Sequence, residues 1–305
     1  MIDRVADSDT QDMVQNITET PQWLSKLQAG CAARKLFATL EKETPDFFKT
    51  KEGMEKIPPS LVPHLPPSKV KDLTEDVCPI FLIKMEEADL SLLPLRSPSR
   101  PALVERALLC LAQLQGTNVS GLAYEDVLLL GPLLCELQRS QLLLLAPDVL
   151  SSVLQDMAGC QYIPRGHRAE IIQLVKDTFG DPSVWTAETL EAVGLLLFYD
   201  DDAISALPNK PWVKDVLYDL RSGPHHDSVA LRKKCFDLTT TDSNGDVKQP
   251  TVELIEELEM DNVFWTAEQL ATMSPETFLA AVEILGDIYG WRADQLAVLI
   301  KKAIE

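Results

Sequence analysis

The feature that most narrows the fold of this chain is a leucine-rich pattern of helical period, cut into short lengths and partly repeated. Leucine fills 47 of 305 positions and, through most of the second half, recurs with helical rather than strand spacing. After Trp185, the text Thr186-Ala187-Glu188-Thr189-Leu190 opens a helix. Thr186 is a natural N-cap, Glu188 stands where a first turn favours an acid, and Leu190, Val193 and Leu197 mark one face. The same opening returns at Trp265-Thr266-Ala267-Glu268-Gln269-Leu270, where Thr266 and Gln269 have capping-box spacing. Ser274-Pro275-Glu276 reads as another N-cap with proline at the first helical position. Phe278, Val282 and Leu285 form its stripe, which stops near Gly286 or Gly290.

Two further correspondences extend the repetition. Glu125-Asp126-Val127-Leu128 through Gly131-Pro132-Leu133-Leu134 pairs with Glu188-Thr189-Leu190-Glu191 through Gly194-Leu195-Leu196-Leu197, and both run on to a proline, Pro147 and Pro208. His167-Arg168-Ala169-Glu170 pairs with Trp291-Arg292-Ala293-Asp294. The offsets share no single period, so the units differ by insertions, one of which falls in Thr239 to Pro250. Short helices that repeat, none able to bury its apolar face alone, are what a helical solenoid requires. The expected fold is all-α, an armadillo/HEAT-like right-handed superhelix of short helical repeats, with a compact helical bundle as the competing arrangement. Before Ala102 the text is proline-dense, as in Ile57-Pro58-Pro59-Ser60-Leu61-Val62-Pro63-His64-Leu65-Pro66-Pro67, which permits only short helices with extended joints. The expected organisation is therefore a Pro-rich helical segment over 1–95, a linker over 96–101 and a helical-repeat segment over 102–305.

Charge removes several functions. Lys and Arg total 28 against 47 for Asp and Glu, a formal charge of -19, which opposes contact with phosphate backbones and anionic lipid, so no nucleic acid is expected as a partner. Apolar runs such as Leu142 to Ala146 fall far short of the ~20 residues that span a bilayer. The opening Met1-Ile2-Asp3-Arg4-Val5-Ala6-Asp7 does not read as an export signal, and Lys301-Lys302-Ala303-Ile304-Glu305 is not a hydrophobic anchor tail. A partial chain or shortened form is expected, touching membrane only through an anchor that this sequence does not contain.

The six cysteines, Cys31, Cys78, Cys110, Cys135, Cys160 and Cys235, leave two readings open. An exported protein could pair them, whereas Cys110, Cys135 and Cys160 lie in apolar helical text where a free thiol is a small buried hydrophobe. No C-x-x-C spacing or Cys/His grouping suggests zinc. Two glycosylation sequons, Asn16-Ile17-Thr18 and Asn118-Val119-Ser120, occur among only five asparagines and favour the secretory pathway. The second lies in a polar, glycine-flanked loop.

Candidate chemistry is sparse. G-x-S-x-G, H-E-x-x-H and the phosphate-binding glycine loop are absent, so no catalytic residues and no cofactor are expected. His225-His226-Asp227 reads as a solvated turn, and Asp200-Asp201-Asp202 as the cap of a following helix. The sharpest metal candidate sets Asp242, Asn244, Asp246 and Glu253 at positions 1, 3, 5 and 12 of a calcium loop. Val247 stands where that loop needs glycine and Pro250 interrupts it, so an Asn-Gly turn is preferred and no metal is expected. Trp185 and Trp265 read as repeat-core residues.

The units Tyr124 to Leu137 and Thr186 to Gly194, with the Pro-Pro-Ser phrases at Pro58 and Pro66, Asp72-Leu73-Thr74 and Cys78, resemble the repeats of the mesothelin, stereocilin and otoancorin family, its otoancorin-like members foremost. The similarity runs from about Ile57 to the carboxyl end. The resemblance implies a stack of armadillo-like helices in cell-surface glycoproteins, commonly held by a GPI anchor, that serve adhesion rather than catalysis. Otoancorin-like members are associated with attachment of acellular gels to the apical surface of inner-ear non-sensory cells. The implied partners are extracellular matrix glycoproteins or another cell-surface protein, and the implied location is extracellular or apical. A cytosolic helical-repeat adaptor is the alternative.

Overall fold

The computed structural model describes residues 2–19, 24–221, 228–242 and 244–304. They are helical throughout: an isolated bridge between Thr241 and Val247 is the only β pairing among them. The chain divides into two compact units, Met1–Ile171 and Ile172–Glu305.

The first unit is organised around the helix Ser99–Leu114, which buries eleven of its residues, including Leu103, Val104, Ala107, Leu108 and Leu111. A helix apolar on nearly all sides belongs in the centre of a packed layer. The helices Pro67–Lys71 and Cys78–Glu86 pack against it. The proline-dense text behaves as its composition dictates: Val62–His64 is a single 3-10 turn and Pro67–Lys71 a helix of five residues with proline in its first turn. Ile57, Leu61, Val62, Leu65 and Val70 project from these pieces into the core and are completely buried.

Residues 96–101, where the sequence suggested a linker, lie within this first unit. Arg100 is buried there, with Nε donating to the Pro94 carbonyl at 3.0 Å and Nη2 to the carbonyls of Leu90 and Leu93 at 2.6 and 2.8 Å. Its Nη1 pairs with the buried carboxylate of Glu136. An arginine whose donors are all answered can replace core packing, and the unit accordingly extends to Ile171.

The second unit is built on a cluster in which Phe236, Ile255, Leu258, Trp265, Leu270, Phe278, Ala281 and Leu285 interlock. Phe236 meets Trp265 edge-to-face at 4.9 Å between centroids. The predicted caps are in place: Thr266 and Gln269 form a capping box, Ser274 accepts from Thr277 N–H ahead of Pro275, and Asp200 accepts from Asp202 and Ala203 N–H. One stripe differs from expectation. Phe278, Ala281 and Leu285 face the core of the helix Pro275–Asp287, whereas Val282 is exposed. The face is therefore set by i, i+3, i+7 spacing, with alanine rather than valine against the neighbouring backbone.

A recurring contact joins the pieces. Residues beside proline at the ends of short helices leave carbonyls without backbone donors, and side chains, distant in sequence except for Arg168, fill the gap. Lys84 Nζ donates to the carbonyl of Ile57 at 2.6 Å, Arg168 Nε to that of Ile163 at 2.9 Å, and Ser99 Oγ to that of Leu65 at 2.9 Å. Lys234 Nζ donates to the carbonyl of Leu207 and to Asn209 Oδ1 at 2.8 Å, and Lys302 Nζ to the carbonyl of Met273 at 2.5 Å. The three lysines reach back 27, 27 and 29 residues, a spacing that marks the repeat more regularly than the sequence does. Burial pushes the pKa of Lys84 and of Lys234 below the ordinary lysine value.

Removing Lys234 strands a buried carbonyl that the proline after it prevents any helical N–H from reaching. Lys234→Met is expected to lower unfolding free energy by about 2 kcal/mol, the cost of an orphaned buried acceptor. Lys233→Met, which loses an exposed i, i+4 contact with Asp237, is expected to change it by less than about 0.5 kcal/mol. Urea denaturation followed by circular dichroism distinguishes the two, and equal effects would refute the capping role. Glu136→Ala, leaving Arg100 buried and uncompensated, is expected to cost about 3 to 5 kcal/mol in the same measurement.

Candidate functional site

In the first unit, Cys78 at the start of the helix Cys78–Glu86 is bonded to Cys110 in the helix Ser99–Leu114, and Cys135 is bonded to Cys160 beyond the helix Pro147–Met157. The free-thiol reading of Cys110, Cys135 and Cys160 is thus replaced by two bridges between neighbours in sequence order, closing loops of 32 and 25 residues. Cys31 and Cys235 are free. Burial raises the pKa of the Cys235 thiol, which keeps it protonated and unreactive.

Asn118 lies between these two staples. The helix Ser99–Leu114 is closed by Gly116 at φ 62°, with Gly116 N–H bonded to the Gln113 carbonyl and Thr117 N–H to the Ala112 carbonyl. This is a Schellman ending, and it requires a residue that tolerates the left-handed conformation. Asp126 then clamps the loop, accepting from Gln115 Nε2 at 2.7 Å and from Ala123 N–H at 2.9 Å. Asn118 stands exposed on this braced loop, and Ser120 Oγ donates to its Oδ1 at 2.7 Å. Asn16 is also exposed but sits inside the helix Thr10–Thr18, where Thr18 Oγ1 donates to the Val14 carbonyl at 2.8 Å.

Two of the four calcium candidates, Asp242 and Glu253, are engaged locally. Asp242 Oδ1 accepts from the N–H groups of Asn244 and Asp246 at 2.8 and 2.9 Å, folding the loop upon itself through Gly245 at φ 87°. Glu253 is held below the ordinary carboxylate range by its own backbone N–H and the Thr251 hydroxyl. Among the described residues no group of three or more His, Cys, Asp or Glu is gathered for a metal. His225, His226 and Asp227 lie outside the described residues. Asp200 is the helix cap that its sequence implied; burial acts to raise its pKa, but Lys176 at 2.5 Å and the N–H groups of Ala203 and Asp202 outweigh it and hold it low. Trp185 and Trp265 are core residues, their Nε1 atoms donating to the Gly180 carbonyl and to Asn262 Oδ1, each at 2.9 Å.

Two grooves stand out by size among the described residues. In the second unit, Tyr218, Arg221, Arg232, Glu257 and Asp261 line a space of about 570 Å³, in which Asp261 already pairs with Arg232 at 2.6 Å and Arg221 at 3.5 Å. In the first unit, Lys26, Gly30, Arg34, His64, Ser97 and Ser99 line about 490 Å³ beside Leu27, Leu93 and Pro94, and no carboxylate lines it. Sequence reasoning found the sequons and caps but not this groove, whose residues are far apart in the chain. Among the described residues, no helix is long and apolar enough to cross a membrane.

Comparison with known proteins places these features in a lineage. The family model described as Mesothelin matches residues 9–301. The chain is 25% identical to mouse otoancorin over 299 residues, covering 92% of this chain and 24% of that protein. It is 24% identical to human otoancorin over 274 residues, covering 82% and 22%, and 26% identical to rat mesothelin over 211 residues, covering 68% and 30%. The chain thus spans less than a third of the length of these relatives. No solved structure matches it.

The loop geometry separates the two sequons. In a mammalian host, with a signal peptide added, peptide mass spectrometry after glycosidase treatment is expected to show a glycan at Asn118, on its exposed loop, and none at Asn16 inside a helix. Intact-mass alkylation of the unreduced protein, unfolded in denaturant so that the half-buried Cys235 is reachable, is expected to label Cys31 and Cys235 alone. Labelling of all six cysteines would contradict the pairing.

Proposed function

The chain belongs to the mesothelin family, and on that premise we propose that it is a non-enzymatic adhesion scaffold of the cell surface and extracellular matrix. The observation that carries this reading is the family match over residues 9–301. Two disulfides in the first unit favour it, because such bonds persist in oxidising compartments and are rare in the cytosol. They count against the cytosolic adaptor. The braced, exposed Asn118 suits a glycoprotein.

In this reading each unit is a stack of armadillo-like repeats, the short helices supplying the core and their outward residues the contact surface. Of the buried ionisable groups, Arg100 and Lys234 hold backbone carbonyls, Glu136 pairs with Arg100, and Asp261 pairs with Arg221 and Arg232, which suits a scaffold rather than a catalyst. Together with the sequence resemblance to otoancorin-like members, this points to attachment of an acellular gel or matrix to the apical surface of inner-ear epithelial cells. The partner is a matrix glycoprotein or another cell-surface protein, and attachment to the membrane is by a lipid anchor of the kind the family carries.

Purified chain with its disulfides intact, coated on a surface, is expected to retain solubilised matrix glycoproteins saturably. Prior reduction and alkylation is expected to remove most of that retention by loosening the first unit, since loss of a native disulfide costs about 2 to 5 kcal/mol. Retention no greater than on an uncoated surface would defeat the adhesion reading.

A further inference from the structure

We propose that the groove of the first unit is a binding site for an acidic saccharide, a sugar chain bearing sulfate or carboxylate groups. The inference rests on the extracellular reading only for access to such chains.

The groove is unusual for this chain. Acids outnumber bases 47 to 28, yet the lining of about 490 Å³ contains Lys26, Arg34 and His64 and no carboxylate. Among the described residues Lys26 and Arg34 make no ion pair, and Arg34 Nη2 lies 3.3 Å from Cys31 Sγ. Other lysines of the first unit are committed: the half-buried Lys35 and the exposed Lys42 both bind Asp7 at 2.8 Å, and the half-buried Lys69 binds Glu41 at 3.0 Å. His64 Nε2 has no hydrogen-bond partner, and the Ser97 side chain borders the same space. The groove therefore holds two cations, an imidazole and a hydroxyl without internal counter-charges.

Gly30 sets the floor. It lies inside the helix Lys26–Glu43, between Lys26 and Arg34 on one face. A Cβ there would meet nothing within 4 Å, so close packing does not demand glycine, which costs a helix interior roughly 0.5 to 1 kcal/mol relative to alanine. What its bare Cα does is keep the groove open. Lys26 and Arg34, eight residues apart, are separated by about 12 Å along the helix axis. A few linked rings of an acidic sugar chain span that separation, and one inorganic anion does not. Leu27, Leu93 and Pro94 offer an apolar ledge to the faces of the rings. A peptide is the poorer fit: the unit has no sheet edge to extend, and the groove is not the long apolar trough that receives a helix.

The test is titration calorimetry on the disulfide-intact chain with three probes: a heparin-derived tetrasaccharide, 3′-sialyllactose and a hexaglutamate peptide. Saturable binding of either saccharide is expected, the first pointing to a sulfated source and the second to a carboxylated one. Lys26→Ala with Arg34→Ala, and separately Gly30→Gln, which fills the groove from an unhindered position, are each expected to weaken binding about tenfold or more. Lys210→Ala, in the other unit, is expected to leave it unchanged, and circular dichroism checks that each variant folds. No saccharide binding at millimolar concentration, binding indifferent to Gly30→Gln, or tighter binding of hexaglutamate would overturn the proposal. Because this measures isolated ligands, its failure is distinguishable from failure of surface retention of matrix glycoproteins, which tests adhesion itself.

Discussion

Every short helix in this protein that ends at a proline leaves carbonyl oxygens that the chain cannot answer locally, and the architecture depends on how they are answered. Proline donates no hydrogen bond and turns the preceding residue out of the helix. Ile57, Leu65, Ile163 and Leu207 each directly precede a proline. Each of their carbonyls receives a side-chain donor, from 27 to 34 residues away for Lys84, Ser99 and Lys234 and from the following turn for Arg168. A lysine or arginine suits the task because its apolar stem crosses the core boundary while its head supplies several donors. The proline breaks the helix and fixes the turn, and the cation secures the broken end to the next layer. The same arrangement explains how a chain of such brief helices can pack, since few of them exceed the ~12 residues at which an isolated helix becomes even marginal.

The two units reach stability by different routes. The first carries both disulfides and the buried Arg100–Glu136 pair. Loops of 25 and 32 residues restrict the unfolded chain by about 3 to 4 kcal/mol each in the entropic model. The second relies on aromatic packing and buried amides. Asn262 Nδ2 donates to the carbonyls of Ile255 and Glu259 at 2.8 Å, and Gln295 Nε2 to those of Val263 and Trp265 at 2.8 and 2.5 Å. These amides close helix ends around Trp265 without charge. At the amino end, Lys35 and Lys42 hold the Asp7 carboxyl down at about 2, against an ordinary 3.8. A depressed acid stabilises above its unfolded value and loses that contribution only as pH falls through the folded one, so this clamp survives mild acidity.

What the sequence disclosed and what it withheld follow from the range of the interactions. Caps at Thr266, Ser274 and Asp200 depend on residues within three positions and were legible. Trp185 and Trp265 were legible because a large ring beside a cap has few places to go but inward. Arg100 was not: a cation flanked by serine and proline reads as solvent-exposed linker until Glu136 and the Leu90 and Leu93 carbonyls are brought around it. Ala281 displaced Val282 from the core because small residues let helices approach closely, a choice made by the partner rather than by the stripe. The cysteine partners were equally out of reach, since six cysteines allow 15 full pairings. For the site, the sequons were visible as text, but that Asn16 lies in a helix and Asn118 on a braced loop was a matter of neighbouring backbone.

The acid excess and the groove bear on each other. A chain with a formal charge of -19 repels polyanions over roughly a Debye length, about 8 Å at physiological ionic strength. Several of the cations that could soften this field are neutralised in place, as Lys35, Lys69, Lys176 and Arg232 are by Asp7, Glu41, Asp200 and Asp261. A polyanion approaching such a surface meets repulsion nearly everywhere and attraction only where carboxylates are missing. Charge in this arrangement contributes orientation more than affinity, because it excludes wrong contacts as strongly as it favours the right one. The acidity that opposes contact with nucleic acid and anionic lipid therefore leaves the carboxylate-free lining of this groove, among the described residues, better defined than it would be on a neutral or basic surface.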